Sequence, residues 1–231
     1  MTIHYHGTPI TPKNILQLLA GHHFCVSFSD PRDVKTCHQI GQSVMLDNGA
    51  FTFWTQGKEV DWNEYYKWVD PWLDYATTWA VIPDVIDGGT DLNDSLIAKW
   101  PFGKRGAPVW HLDEPLKRLC ELAENWDKIC FGSSGVFAKV GSNPWQGRIA
   151  QAFEELSKQF KRLPWIHMMR GMNQCGKIWP FASVDSTDIA RNHHKSNAVA
   201  MAASWDTIQC PGKWIPYEQL KMTEVDEWRN Y

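Results

Sequence analysis

The sequence predicts an α/β protein built on a parallel sheet, and three observations carry that expectation. Short apolar runs alternate along the chain with longer amphipathic stretches. The runs are nearly continuous in apolar character, as strands buried on both faces are. At 231 residues, the chain suffices for one sizeable core and is near the usual size of a single α/β barrel. Repeated strand–helix–strand alternation means a parallel sheet, although counting alone does not separate an open sheet from a closed barrel. No GxGxxG or Walker A loop marks an open nucleotide-binding sheet. No linker divides the chain.

Candidate strands fall at residues 24–28 (FCVSF), 43–46 (SVML), 78–82 (TWAVI), 108–111 (PVWH), 129–132 (ICFG), 165–169 (WIHMM) and 181–184 (FASV). A further edge or eighth strand comes from 3–6 or from 207–210. Between them lie helices with recognisable starts. Thr11 precedes Ile15, Leu16 and Leu19, and Gly21 stops that turn. Asp61 and Glu64 have the spacing of a capping box ahead of Trp68, and Pro71 is expected to end or kink that helix. Asp113 precedes Pro115, with Leu116, Leu119 and Ala123 on one face. Asn143 is the expected cap of a helix opened by Pro144. Its apolar stripe is Ile149, Phe153, Leu156 and Phe160, one helix face.

The hydrophobic fraction of 43% and charged fraction of 21% are those of an ordinary folded chain. The formal net charge is -3, with no basic tail or arm. A nucleic-acid enzyme with this balance must gather its Lys and Arg near one mouth. The 14 Trp read first as packing, with a few flat rings free to stack on bases. Cys25, Cys37, Cys120, Cys130, Cys175 and Cys210 form no CxxC or CxC pair. They read as buried free thiols in a reducing cytoplasm. The N-terminus lacks a signal layout, and no run is long and apolar enough to span a bilayer. The expected partners exclude a membrane, and the expected compartment is the cytoplasm.

The residues that promise chemistry follow the strand-like runs. Asp47 opens DNGAF, Asp84 follows AVIP, Asp113 follows PVWHL and Asp185 opens DSTD. In a parallel barrel such positions form the C-terminal face, where active sites sit. Of several carboxylates at one mouth, one can attack an anomeric carbon while another trades protons with the base. Asp113 reads as a helix cap, Asp47 and Asp185 as functional. The loop Gly132-Ser133-Ser134-Gly135 either presents N–H groups to an acceptor or is simply a tight turn. His167 reads as a satisfied core residue, whereas Arg170 and Gly171 end that strand where a ligand can reach them. Arg191, His193, His194 and Lys195 make the densest cationic spot, suited to phosphate or to a solvated helix end.

Taken in order, LDNGAF, IPDVIDGG, PVWH, ICFGSSG, IHMMRGMN and FASVDST resemble the tRNA-guanine transglycosylase superfamily. The likeness is greatest to its short phage and bacterial branch, which inserts 7-deazaguanines into DNA. HYHGTPITP and SFSDPRD also look like that branch, so the resemblance runs from about His4 to about His194. It implies a (β/α)8 barrel of TIM type, a single domain over 1–231, exchanging a base at C1′ through a covalent Asp–deoxyribose intermediate. Asp185 matches the nucleophile, Asp47 the acid/base group and Asp84 the reader of the guanine edge. His111 stands where many members have Gln. Gly132 and Ser133 match the backbone loop against the base, and Met169, Arg170 and Gly171 the lining of its pocket. The implied partners are DNA, as a duplex with a flipped-out guanine, and a free 7-deazaguanine of the preQ0 type. No cofactor and no metal are expected: the CxCxxC zinc motif of the tRNA enzymes is missing, as are their tRNA-holding domains. If the chain is phage-encoded, the compartment is the host cytoplasm. Three other readings suit the same residues: a tRNA-acting exchange enzyme, a non-catalytic nucleic-acid-binding subunit on this fold, and a glycoside hydrolase with paired carboxylates.

Overall fold

A computed structural model of the protein describes residues 1–216. Among them are nine strands: β1 (Ile3–Gly7), β2 (His23–Ser27), β3 (Ser43–Asp47), β4 (Thr78–Val81), β5 (Gly106–Ala107), β6 (Val109–His111), β7 (Lys128–Gly132), β8 (Trp165–Met168) and β9 (Ser183–Ser186). They form one sheet in the order β5-β4-β3-β2-β1-β9-β8-β7-β6, and every pairing is parallel. The two end strands are neighbours in the chain, separated only by Pro108. A proline has no N–H to give a ladder, so it interrupts a strand there. Around it the sheet's two ends meet. Ile82 N donates to Ala107 O, and Cys130 N donates to Pro108 O, each at 2.9 Å. The sheet is therefore nearly closed and barrel-shaped.

Seven expected strands lie at or within two residues of observed ones. The eighth comes from residues 3–6, since β1 pairs with both β2 and β9. Residues 207–210 do not form a strand: they leave helix α9 (Ala198–Asp206) as a turn and irregular chain. The last strand is shifted from 181–184 to Ser183–Ser186. Phe181 is spent on the outer core instead, and Asp185 consequently lies inside β9 rather than after it.

Eight further helices accompany α9: α1 (Lys13–Leu18), α2 (Val34–Ile40), α3 (Ala50–Thr55), α4 (Trp62–Leu73), α5 (Gly89–Ala98), α6 (Leu116–Asn125), α7 (Asn143–Gln159) and α8 (Asp188–Asn192). Their starts correct several expectations. Pro12, not Thr11, occupies the cap position of α1. Asp61 does cap α4, accepting from Asn63 N at 2.9 Å, but Glu64 pairs with Lys67 at 2.6 Å instead of closing a box. Pro71 does not end α4, which runs on to Leu73; in the last turn it removes little of the ladder. Asp113 is not the cap of α6, whose cap position is Pro115; its carboxylate accepts from the Ser134 hydroxyl. Ser142, not Asn143, caps α7, accepting from Trp145 N at 3.5 Å.

Three apolar clusters hold these parts together. One lies under α6 and α7, with Trp110, Trp145, Phe153 and Phe181. A second lies under α1, α2 and α4, with Phe24, Tyr65 and Val69. The third fills the inside of the sheet with Tyr5, Cys25, Met45, Trp79 and Cys130. Gly106 marks the seam, for a Cβ there would stand 2.4 Å from Trp100 Nε1 and 2.7 Å from Ile82 Cγ1. Gly106→Ala should cost about 1–3 kcal/mol through overpacking. A denaturant melt matching wild type would show that the seam is looser than this contact requires.

Candidate active site

The C-terminal ends of the strands surround a cavity of about 510 Å³. Parallel strands deliver their last residues to one rim, so chemistry distant in sequence converges there. Asp47, Asp84, His111, Gly132, Ser133, Met169, Arg170, Asp185 and Arg191, all singled out in the sequence, line it. Gly171 does not; it is buried behind the rim, where a Cβ would meet Met168 Cγ at 2.3 Å. His193, His194 and Lys195 are not among the lining residues. His193 turns back to Ile189 O at 3.0 Å, and the other two are exposed.

Asp47 ends β3. Its Oδ2 accepts from Ser27 Oγ at 2.7 Å and from Gly49 N at 3.1 Å. Ser27 is in register with it on β2. Gly49 has φ +76°, a conformation that suits glycine and swings its N–H back onto the carboxylate. Burial pushes the Asp47 pKa up to about 6, and the charges of Asp185 and Asp84 push the same way, against the pull of the Ser27 and Gly49 donors.

Asp84 is buried three residues beyond β4. Asn48 Nδ2 donates to its Oδ1 at 2.7 Å and to Ile82 O at 2.8 Å. His111 Nε2 stands 2.9 Å from its Oδ2. Burial, the largest effect, lowers the His111 pKa, but Asp84, Glu114 and Asp113 together outweigh it and leave it raised. Glu114 also accepts from His111 N at 2.9 Å and from Arg118 at 2.6 Å, fixing the strand end from behind.

Asp185 is held differently. Its Oδ1 accepts from Arg170 N at 2.6 Å, and His167 Nε2 lies 3.3 Å away. Arg170 has φ +56°, the left-handed region that a residue with a Cβ seldom adopts. That turn aims its N–H at the carboxylate. Its guanidinium lies 4.3 Å over the Phe51 ring and reaches Ser133 O at 3.3 Å. The Ser133 hydroxyl faces away, accepting from Trp145 Nε1 at 3.0 Å.

Four contributors were not anticipated from the sequence. Ser27 and Asn48 act through register and side-chain reach, which no spacing announces. Phe51, the aromatic of DNGAF, proves to line the cavity and to be 43% exposed. His167 is buried as expected, but it also faces Asp185. Inside/outside alternation along WIHMM carries the signal for that, because His167 and Ser183 share a register.

Four carboxylates and two arginines line this cavity, so it is acidic near its floor and basic at Arg170 and Arg191. Carboxylates in such different surroundings can divide nucleophilic and proton-transfer work. In comparisons with known proteins, no family model matches the chain and no curated protein matches it.

Because Asp47 ionises with difficulty when folded, its charge opposes folding above pH 6. The opposition disappears below the unfolded carboxyl value of 3.8. Asp47→Asn should therefore stabilise the protein by about 1–3 kcal/mol at pH 8, with the gain shrinking to nothing near pH 4. Denaturant melts at the two pH values check this; an equal gain at both would contradict it.

Proposed function

We propose that the protein is a single-domain transglycosylase that replaces guanine in DNA by a 7-deazaguanine base of the preQ0 type. In this reading β5 and β6 count as one strand broken at Pro108, which makes the fold a (β/α)8 barrel of TIM type. The observation that carries the proposal is the pairing of Asp47 and Asp185 on one cavity with opposite support. Asp47 is held near neutral pKa (about 6). Asp185 is pinned by Arg170 N–H beside His167.

The target guanine must leave the duplex, at a few kcal/mol that pocket contacts recover. The cavity falls in the ~300–1,000 Å³ range of small-molecule sites, enough for a base and its sugar. Asp84 accepts from the guanine N1–H and amino group through lone pairs left free by Asn48 and His111. Phe51 offers a flat ring beside the base. Asp185 attacks C1′; the C1′–N9 bond breaks, its electrons go to the base, and protonated Asp47 supplies the base's proton. Asp47, now ionised, takes the N9 proton from the incoming 7-deazaguanine. That nitrogen attacks C1′ and expels the Asp185 carboxylate. A group with pKa near the working pH serves both directions. Arg191, with His193, His194 and Lys195 just beyond the rim, meets the phosphates. The reaction draws only on side chains of this chain, in the cytoplasm that holds its DNA.

Labelled guanine offered with duplex DNA, single-stranded DNA or tRNA tests the proposal. Label is expected in DNA, with an enzyme–DNA adduct on a denaturing gel. Asp185→Asn should abolish both; an adduct at wild-type level would remove Asp185 as nucleophile. Label in tRNA alone would favour the RNA-acting alternative, and DNA binding without exchange the non-catalytic one. Asp84→Ala should flatten discrimination among competing bases by about tenfold or more, as expected for a lost charged hydrogen bond of 1.5–3 kcal/mol. Unchanged discrimination in a competition assay would take base reading away from Asp84.

A further inference from the structure

Behind β1, on the face turned away from the cavity, lies a dense group of side chains of the types that can ligate a metal. Tyr5 points to the barrel interior, so strand alternation sends His4 and His6 outward, beneath α8 and α9, which pack on β1. His6, His22 and Asp206, the last residue of α9, bring one ligand atom each within 4.8 Å of one another. His6 is 1% exposed, and its Nε2 has no hydrogen-bond partner among the described residues. A buried ring nitrogen left without a partner calls for an explanation, a bound ion being one. The His6 and His22 rings meet edge to face at 5.6 Å, and His22 Nδ1 lies 2.8 Å from Asp206 Oδ2. His4 backs the carboxylate, with Nδ1 at 3.7 Å from Asp206 Oδ1.

We propose that His6, His22 and Asp206 hold a divalent transition-metal ion of the zinc type, which clamps the end of α9 to the barrel wall behind β1. Two imidazoles and a carboxylate are a zinc donor set, and nitrogen donors argue against magnesium or calcium. Bonds of ~2.0–2.1 Å in tetrahedral geometry need ligand atoms about 3.3 Å apart, so the group must draw in slightly. Asp206 is free to do so, at a helix end and with its side chain 41% exposed. The same exposure gives the ion its entry and leaves a fourth position for water. This set shares no residue with a CxCxxC motif, and it departs from the expectation of no metal. The neighbouring thiols are the competing ligands: Cys175 Sγ lies 3.2 Å from His4 Nε2 and 3.3 Å from Cys210 Sγ. The clamp holds the back of β1, whose last residue, Gly7, lines the cavity together with Thr8.

The test uses the full chain, stripped with a chelator and titrated calorimetrically with Zn2+ alone, then with Co2+ for its visible spectrum. One equivalent should bind and raise Tm. Asp206→Asn, at an exposed position, should weaken Zn2+ binding at least about tenfold, as losing a metal-site group does, and abolish the Tm rise. His6→Gln should do the same, while Cys175→Ser with Cys210→Ser should bind as wild type does. No stoichiometric binding, binding indifferent to Asp206→Asn, or a thiolate-to-cobalt charge-transfer band lost with the cysteines would each overturn the assignment.

Discussion

Asp47, Asp84 and Asp185 share one mouth, and the rest of the rim is organised around that crowding. Like charges at close range raise each other's cost of ionisation, and burial adds to it. Each carboxylate is therefore given its own donors, Ser27 and the Gly49 N–H for Asp47, Asn48 for Asp84 and the Arg170 N–H for Asp185, with the His111 ring 2.9 Å from Asp84 and the His167 ring 3.3 Å from Asp185. Two of these donors are backbone groups in left-handed turns, at Gly49 and Arg170. Irregular backbone sits where it delivers an N–H to an acid. Inside the sheet, burial, and then the nearby acids, push the Cys25 and Cys130 thiols well up.

The donors are themselves held from outside the barrel. Glu114 joins His111 N, Arg118 and Asn93, and Asn93 in turn accepts from Val85 N just after Asp84. Arg118 also donates to Val109 O on β6. A buried ion pair adds little stability by itself, but breaking one is costly, so it fixes geometry. On the far side of the rim, Trp145 of α7 pins Ser133, whose carbonyl receives Arg170. The helices of the outer layer thus set the positions of the side chains that line the cavity.

Much of this was legible in the sequence. Buried parallel strands write themselves as short apolar runs, so strand positions came out within two residues, and three of the four acids placed after those runs, Asp47, Asp84 and Asp185 but not Asp113, fell on one cavity. What the sequence could not supply was anything depending on register or on a turn's handedness. Ser27 meets Asp47 only because β2 and β3 align them. Asp185 lies within its strand because Phe181 joined the outer core. The helix caps were the poorest part. Asp113, Asn143 and Thr11 all carry cap chemistry, but tertiary partners or a neighbouring residue took the role.

The two halves of the proposed chemistry also explain why Asp185 and Asp47 cannot exchange roles. An attacking carboxylate must present one oxygen in a fixed direction, and an N–H at 2.6 Å on Oδ1 leaves Oδ2 as the free atom. A buried imidazole 3.3 Å from the same Oδ1 reinforces that choice. Asp47 has both of its donors on Oδ2, yet burial and its two acidic neighbours still hold its pKa near 6. It is a carboxyl that can carry a proton at neutral pH. A base leaving C1′ needs such a proton on one side of the sugar and a charged oxygen on the other. In the proposed reaction these two acids come from β3 and β9, three positions apart in the sheet with β2 and β1 between them.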